Sequence, residues 1–157
     1  MVKPSVNYWD PTVNSAQNAK LRLPALASNY FATGRKLMEG KSSPAGLHGF
    51  RLATKRFRYT LELFRPCYGK SLDSRLKRLR EVQRLLGEIS DCATTLALLR
   101  PASRHAKMVA FLKKRAGQRT VAFRQYWQQT FDAPGQERWW KQYFTRFVKP
   151  EAPRKRK

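Results

Sequence analysis

The residues of this chain with the types and spacing to do chemistry are cations. His48, Arg51, Lys55 and Arg58 recur at alternating steps of three and four, so on an α-helix they line a single face. Arg56 and Tyr59 stand at the margins of that row. Leu47, Phe50, Thr54, Phe57, Leu61 and Phe64 follow the same steps one position earlier, which predicts a buried seam beside the charges. A second stretch repeats the pattern. Leu76, Leu79, Gln83, Leu86, Ile89 and Ala93 fall near a seam, with Lys77, Arg80, Arg84 and Gly87 one residue further on and Asp91 continuing that row four residues beyond Gly87. Guanidinium forks hold phosphate oxygens in pairs and lysine acts as a point charge, so such rows suit a chain of phosphates. Acidic partners are scarce: Glu62, four residues beyond Arg58, and Asp91, within reach of His48 or Arg51, are the local ones expected.

Catalysis is poorly served by the same residues. His48 with Asp91 lacks a placed Ser or Cys nucleophile, and His105 sits in a basic surface context, so no triad can be assembled. Phosphoryl transfer needs carboxylates to hold magnesium, yet the acids are scattered and neither GxxxxGK[ST] nor GxGxxG occurs. Cys67 and Cys92 stand apart without a CxxC pair or a histidine cluster, and read as small buried residues rather than a disulfide or a zinc site. The expectation is no catalytic residue, no metal and no cofactor.

Helices must position the two rows, because apolar residues recur at three and four and hardly ever at two. The first predicted helix covers 13–39, with Pro24 kinking or restarting it and Gly40 as its stop. Ser43 and Pro44 supply an N-cap and a first-turn proline for the second, which Pro66 should end after Arg65. The third runs from Ser71 to Leu99 with Asp73 in its first turn, and the fourth from Ser103 to Phe131. Short connections make antiparallel neighbours, hence an all-α, up-down four-helix bundle. A shorter segment from Glu137 to Val148 carries Trp139, Trp140, Tyr143, Phe144 and Phe147, a wide aromatic face for a last helix laid over the bundle, a dimer contact or an anionic membrane surface. The expected organisation is an N-terminal segment over 1–12, the bundle over 13–131, the aromatic helix over 132–148 and a basic tail over 149–157, ending in Arg154 to Lys157. A turn near Cys67 and Tyr68 would set Arg58 opposite Lys77, Lys55 opposite Arg80, Arg51 opposite Arg84 and His48 opposite Gly87. Six cations would then share one groove.

Bulk charge agrees with that groove. The 157 residues carry 33 Lys and Arg against 10 Asp and Glu, a formal charge of +23, while 41% apolar residues suffice for a folded core. A domain so charged calls for a polyanion: nucleic acid, an anionic membrane or a phosphate polymer. No stretch approaches the ~18 apolar residues of a membrane span, and residues 1–10 lack the apolar centre of a signal peptide, so a cytoplasmic protein is expected.

The run from Leu47 to Glu62 resembles the H-x-x-R-x-x-x-K-R-x-R-Y-x-x-E signature of CHAD domains, the conserved histidine α-helical domains. Leu79, Gln83, Leu86, Gly87 and Asp91 are spaced like that family's L-x-x-x-Q-x-x-L-G-x-x-x-D stretch, and the whole is closest to the family's second repeat. The resemblance implies a helical module that binds inorganic polyphosphate and can associate with polyphosphate granules. It makes His48, Arg51, Lys55, Arg56 and Arg58 the phosphate contacts, supported by Tyr59, Glu62 and Asp91, while Lys77, Arg80 and Arg84 enter from the groove geometry. A usual CHAD domain holds two four-helix repeats around a basic cavity, and this chain has one, half a domain. A symmetric homodimer would rebuild the whole. The alternatives are sequence-independent binding to a nucleic-acid backbone, and an adaptor whose aromatic C-terminal face brings a partner enzyme to the polymer.

Overall fold

The first helix begins where Asn14 and Gln17 cap each other: the Gln17 N–H donates to Asn14 Oδ1 at 2.8 Å, and the Asn14 N–H to Gln17 Oε1 at 3.3 Å. In this computed structural model, which describes residues 9–149, that helix is α1 (Ser15–Met38). Pro24 lies inside it without ending it. The carbonyl that Pro24 leaves without a helical donor belongs to Lys20, an exposed residue open to solvent. Ser43 caps α2 (Pro44–Leu63), its Oγ accepting the Gly46 N–H at 3.0 Å, with Pro44 in the first turn as expected.

The junction after α2 differs from the expectation. Pro66 does not cut a helix at Arg65; it sits in the first turn of a short separate helix, α3 (Arg65–Tyr68), where a missing N–H costs nothing. A 3₁₀ turn at Gly69–Leu72 follows, entered by Gly69 at φ +67°, a conformation that favours glycine. Then comes α4 (Asp73–Leu98), with Asp73 at its positive end. A 3₁₀ turn at Ala102–His105 leads into α5 (Ala106–Tyr126), whose end widens into a π turn over Trp127–Phe131. The last helix is α6 (Gln136–Arg146). The fold is all-α, with no strand among the described residues. The predicted tail from Arg154 to Lys157 and most of the 1–12 segment lie outside them.

The predicted seam on α2 is buried from Leu47 through Phe50, Thr54 and Phe57 to Leu61, with Phe64 half-buried. Thr54, its one polar member, donates to the Phe50 carbonyl at 2.8 Å and meets the Tyr30 hydroxyl at 2.9 Å, so no buried polar group is stranded there. Around it gather Leu23, Phe31, Leu79 and Leu86. Trp127, also in this cluster, fits only because Gly34 faces it: a Cβ at position 34 would overlap the indole ring. Cys92 is buried and Cys67 half-buried.

The aromatic face of α6 belongs to this core. Trp140, Tyr143 and Phe144 are buried, which fits a last helix laid over the bundle, and only Trp139 and Phe147 stay exposed at its edges. Two devices fasten it. Arg35 donates to Asp132 through Nε at 2.7 Å and Nη2 at 2.6 Å, and to Glu137 through Nη1 at 2.6 Å, tying α1 to the α5–α6 connection. Arg75 of α4 is buried with its guanidinium 3.7 Å from the Trp139 ring centre and 3.4 Å from that of Tyr143, a cation sandwiched between two rings. Burial, with Arg78 nearby, pulls the pKa of Arg75 down to about 10 against the favourable pull of Tyr143. No helix among the described residues is long and apolar enough to cross a membrane.

Candidate anion-binding groove

Arg58 fixes how the two charged helices meet. Its Nε donates to Gln83 Oε1 at 2.9 Å, and its Nη1 donates to Glu62 at 2.6 Å; Glu62 also accepts Arg80 Nη2 at 3.4 Å. The expected register is therefore corrected: Arg58 of α2 lies level with Gln83 of α4 and not with Lys77. The connection itself is α3 and a 3₁₀ turn rather than a single turn at Cys67 and Tyr68. Counted from the Arg58–Gln83 contact, Lys55 comes level with Leu86 and Gly87, and Arg51 with Ser90. His48 lines a cleft with Ser90, Ala93 and Thr94, in keeping with that count.

One wall of the groove is thus cationic and the other is neutral and small. His48 is exposed, Arg51 and Lys55 are half-buried, and none of the three has an ion-pair partner among the described residues. The Arg51 Nε is buried without a hydrogen-bond acceptor there. Asp91 is exposed, and among the described residues its carboxylate makes no bond to His48 or Arg51, contrary to expectation. Arg56 and Tyr59 lie on the other flank of α2, in a cleft of about 570 Å³ lined from α1 by Leu26, Asn29 and Thr33. Arg58 also packs its guanidinium 4.4 Å from the centre of the Tyr59 ring, so Tyr59 supports it from outside the groove.

Of the cations of α4, Arg80 reaches Glu62 of α2, and none lies level with Arg51 or Lys55. Lys77, Arg80 and Arg84 share a shallow cleft of about 620 Å³ with Arg78, Glu81 and Tyr126 of α5. Arg84 is already neutralised there: it donates to Glu81 at 2.7 and 3.0 Å and to Glu88 at 2.6 Å, and Glu88 pairs with Arg119 of α5 at 2.9 Å. The bond from Arg84 holds the Glu81 carboxyl below the usual range, and Glu81 in turn holds the Arg84 charge more firmly. The Arg84 pairing was legible as Glu81-x-x-Arg84-x-x-x-Glu88, two contacts at helical spacing. Arg119 was not, since it arrives from another helix. Gln83, read as a seam residue, proves to be a polar contact between α2 and α4, beside the one from Arg80 to Glu62. No group of three or more His, Cys, Asp or Glu able to hold a metal gathers among the described residues.

The structure thus sets the α2 row of His48, Arg51 and Lys55 beside Gln83 and Gly87 of α4, residues of the two stretches that carry the resemblance. The CHAD domain family model matches residues 5–100, well over half of the chain and every helix from α1 to α4. The chain belongs to the CHAD family. That family is associated with polyphosphate binding in general. No curated protein and no solved structure matches the chain. Within this CHAD domain the signature residues divide between two flanks of α2, with His48, Arg51, Lys55 and Arg58 toward α4 and Arg56 toward α1.

Proposed function

We propose that this CHAD domain binds inorganic polyphosphate without catalysis, through the α2 row of His48, Arg51 and Lys55, with Lys77 and Arg80 of α4 and Arg56 of the opposite flank extending the cationic track. The observation that carries this reading is that, among the described residues, His48, Arg51 and Lys55 have no carboxylate partner while their neighbours do: Arg58 and Arg80 share Glu62, and Arg84 has Glu81 and Glu88. Like charges at helical spacing repel, and a polyanion that relieves the repulsion also releases its own condensed counterions, so affinity comes from electrostatic capture. Arg51 can offer a paired donor fork and Lys55 a point charge. Gln83 on the neutral wall already accepts a bond from Arg58, and the free donors of the row are cations suited to phosphate oxygens, so recognition is assigned to a backbone of phosphates. Two chains paired by two-fold symmetry would set two such rows around one cavity, and polymer binding would carry the protein to polyphosphate granules.

Competition among long-chain polyphosphate, duplex DNA and single-stranded RNA at ~0.15 M salt tests the ligand, because non-specific nucleic-acid affinity falls steeply with salt. Polyphosphate should win; retained preference for DNA or RNA would make the groove a nucleic-acid backbone site. Light scattering tests the pairing, and a monomer with and without polyphosphate would remove it.

A further inference from the structure

Beyond the groove cations, the stretch from Cys92 to Phe131 contains eight Lys or Arg and no Asp or Glu. Its first half is poorly covered. Of α5, only Leu112 and Phe123 are buried, because α1 ends at Met38 and its Gly34 already meets Trp127 at the far end of α5. The upper turns of α5 therefore lean on α4, and the two helices form a projecting hairpin closed by the 3₁₀ turn at Ala102–His105.

The tip of this hairpin exposes large apolar side chains. Leu98 is 78% exposed, Met108 51% and Phe111 57%. The Arg119–Glu88 ion pair fixes the antiparallel register, and an equal count along both helices from that pair brings Met108 level with Leu99. Phe111 comes level with Leu96 by the same count. Met108, Phe111 and Arg115 recur at helical spacing on one face of α5, and Arg100, Arg104 and Lys107 surround the tip. Apolar side chains set among cations match a phase that is anionic at its surface and apolar beneath. A polyphosphate chain offers nothing apolar to Phe111, and a second copy of the tip would bring like charges together.

We propose that the tip of the α4–α5 hairpin, through Leu98, Met108 and Phe111 amid Arg100, Arg104, Lys107 and Arg115, docks on an anionic lipid bilayer. The apolar side chains enter the boundary between headgroups and acyl chains, and the cations lie among the lipid phosphates. Binding of this kind is reversible and superficial, and it leaves the α2 row available to a separate polyanion.

The full chain is tested by co-sedimentation with vesicles of phosphatidylcholine alone and of phosphatidylcholine with ~30% phosphatidylglycerol. The proposal expects binding to the anionic vesicles only. Met108→Ser with Phe111→Ser should weaken it about tenfold or more, since apolar insertion contributes alongside charge. Both side chains are exposed, so helix content by circular dichroism should not change, and polyphosphate affinity should hold. Arg51→Glu with Lys55→Glu should do the reverse, sparing vesicle binding relative to polyphosphate binding, which separates this idea from the groove reading. Vesicle binding unchanged in the serine variant would reduce the effect to diffuse charge and overturn the proposal. So would no vesicle binding by the wild type, or an RNA or acidic-protein affinity that the serine change removes while vesicle binding stays.

Discussion

Arg58 and Gln83 meet across the α2–α4 contact at 2.9 Å, and this bond sets the register that decides which groups share the groove. Arg58 thereby does structural work inside a signature that resemblance assigns to phosphate contact. Its guanidinium is mostly buried and already divides its donors between Gln83 and Glu62.

Replacing Arg58 by Ala should accordingly destabilise the fold. The change strands the Gln83 amide in a half-buried contact and leaves the Glu62 carboxylate only its longer bond to Arg80, a loss of about 1–3 kcal/mol. Urea unfolding measures it. A variant as stable as the wild type would show that Arg58 does not tie the helices.

For the groove, Arg51→Glu with Lys55→Glu should abolish polyphosphate binding with helix content intact, because it places two carboxylates where phosphates would sit. Arg84→Gln should change affinity little, since Arg84 is held by Glu81 and Glu88. Titration calorimetry against polyphosphate distinguishes them. Equal losses from the two changes would point to diffuse charge over the whole surface.

Gly34→Ala should be among the more damaging single-methyl changes. The added Cβ overlaps the Trp127 ring, and that ring is packed against Phe31 and Phe131, so the core must shift at a cost of about 1–3 kcal/mol or more. Gly117→Ala is the control: a Cβ there meets nothing within 4 Å, and alanine in an exposed helix interior should stabilise by about 0.5–1 kcal/mol. Thermal or urea denaturation reads both.

The Arg35 clamp predicts a pH dependence. Burial alone would raise the Glu137 pKa, but the bonds to Arg35 and Ser28, with the charges of Arg35 and Lys141, outweigh that and hold it below the usual range. A carboxyl with a lowered folded-state pKa contributes stability that is present above the unfolded value, ~4.3, and lost as pH falls through the folded one. Glu137→Gln should therefore be less stable than wild type at neutral pH, and the gap should close as the solution is acidified below about pH 4. A gap independent of pH would mean that the Glu137 charge contributes nothing to the clamp.

Much of this was readable in one dimension. The steps of three and four in Leu47 to Phe64 fixed the buried face of α2, and hence the face on which His48, Arg51, Lys55 and Arg58 stand, because helical periodicity is a local property. Ser43 and Pro44 marked its start for the same reason. What the chain order could not give was anything that depends on two helices at once. The register of α2 on α4 is carried by pairs distant in the chain, Arg58 with Gln83 and Glu62 with Arg80, and it brings Gln83, Gly87 and Ser90 level with the cations in place of Lys77, Arg80 and Arg84. Likewise Trp140, Tyr143 and Phe144 had to be apolar-facing wherever they lay, but only the packing of α6 on α1, clamped by Arg35 and Arg75, decided that the surface they face is the protein's own core. Local sequence determines which side of each helix is charged or apolar; long-range packing determines what each side meets, because those contacts are set by partners distant in the chain.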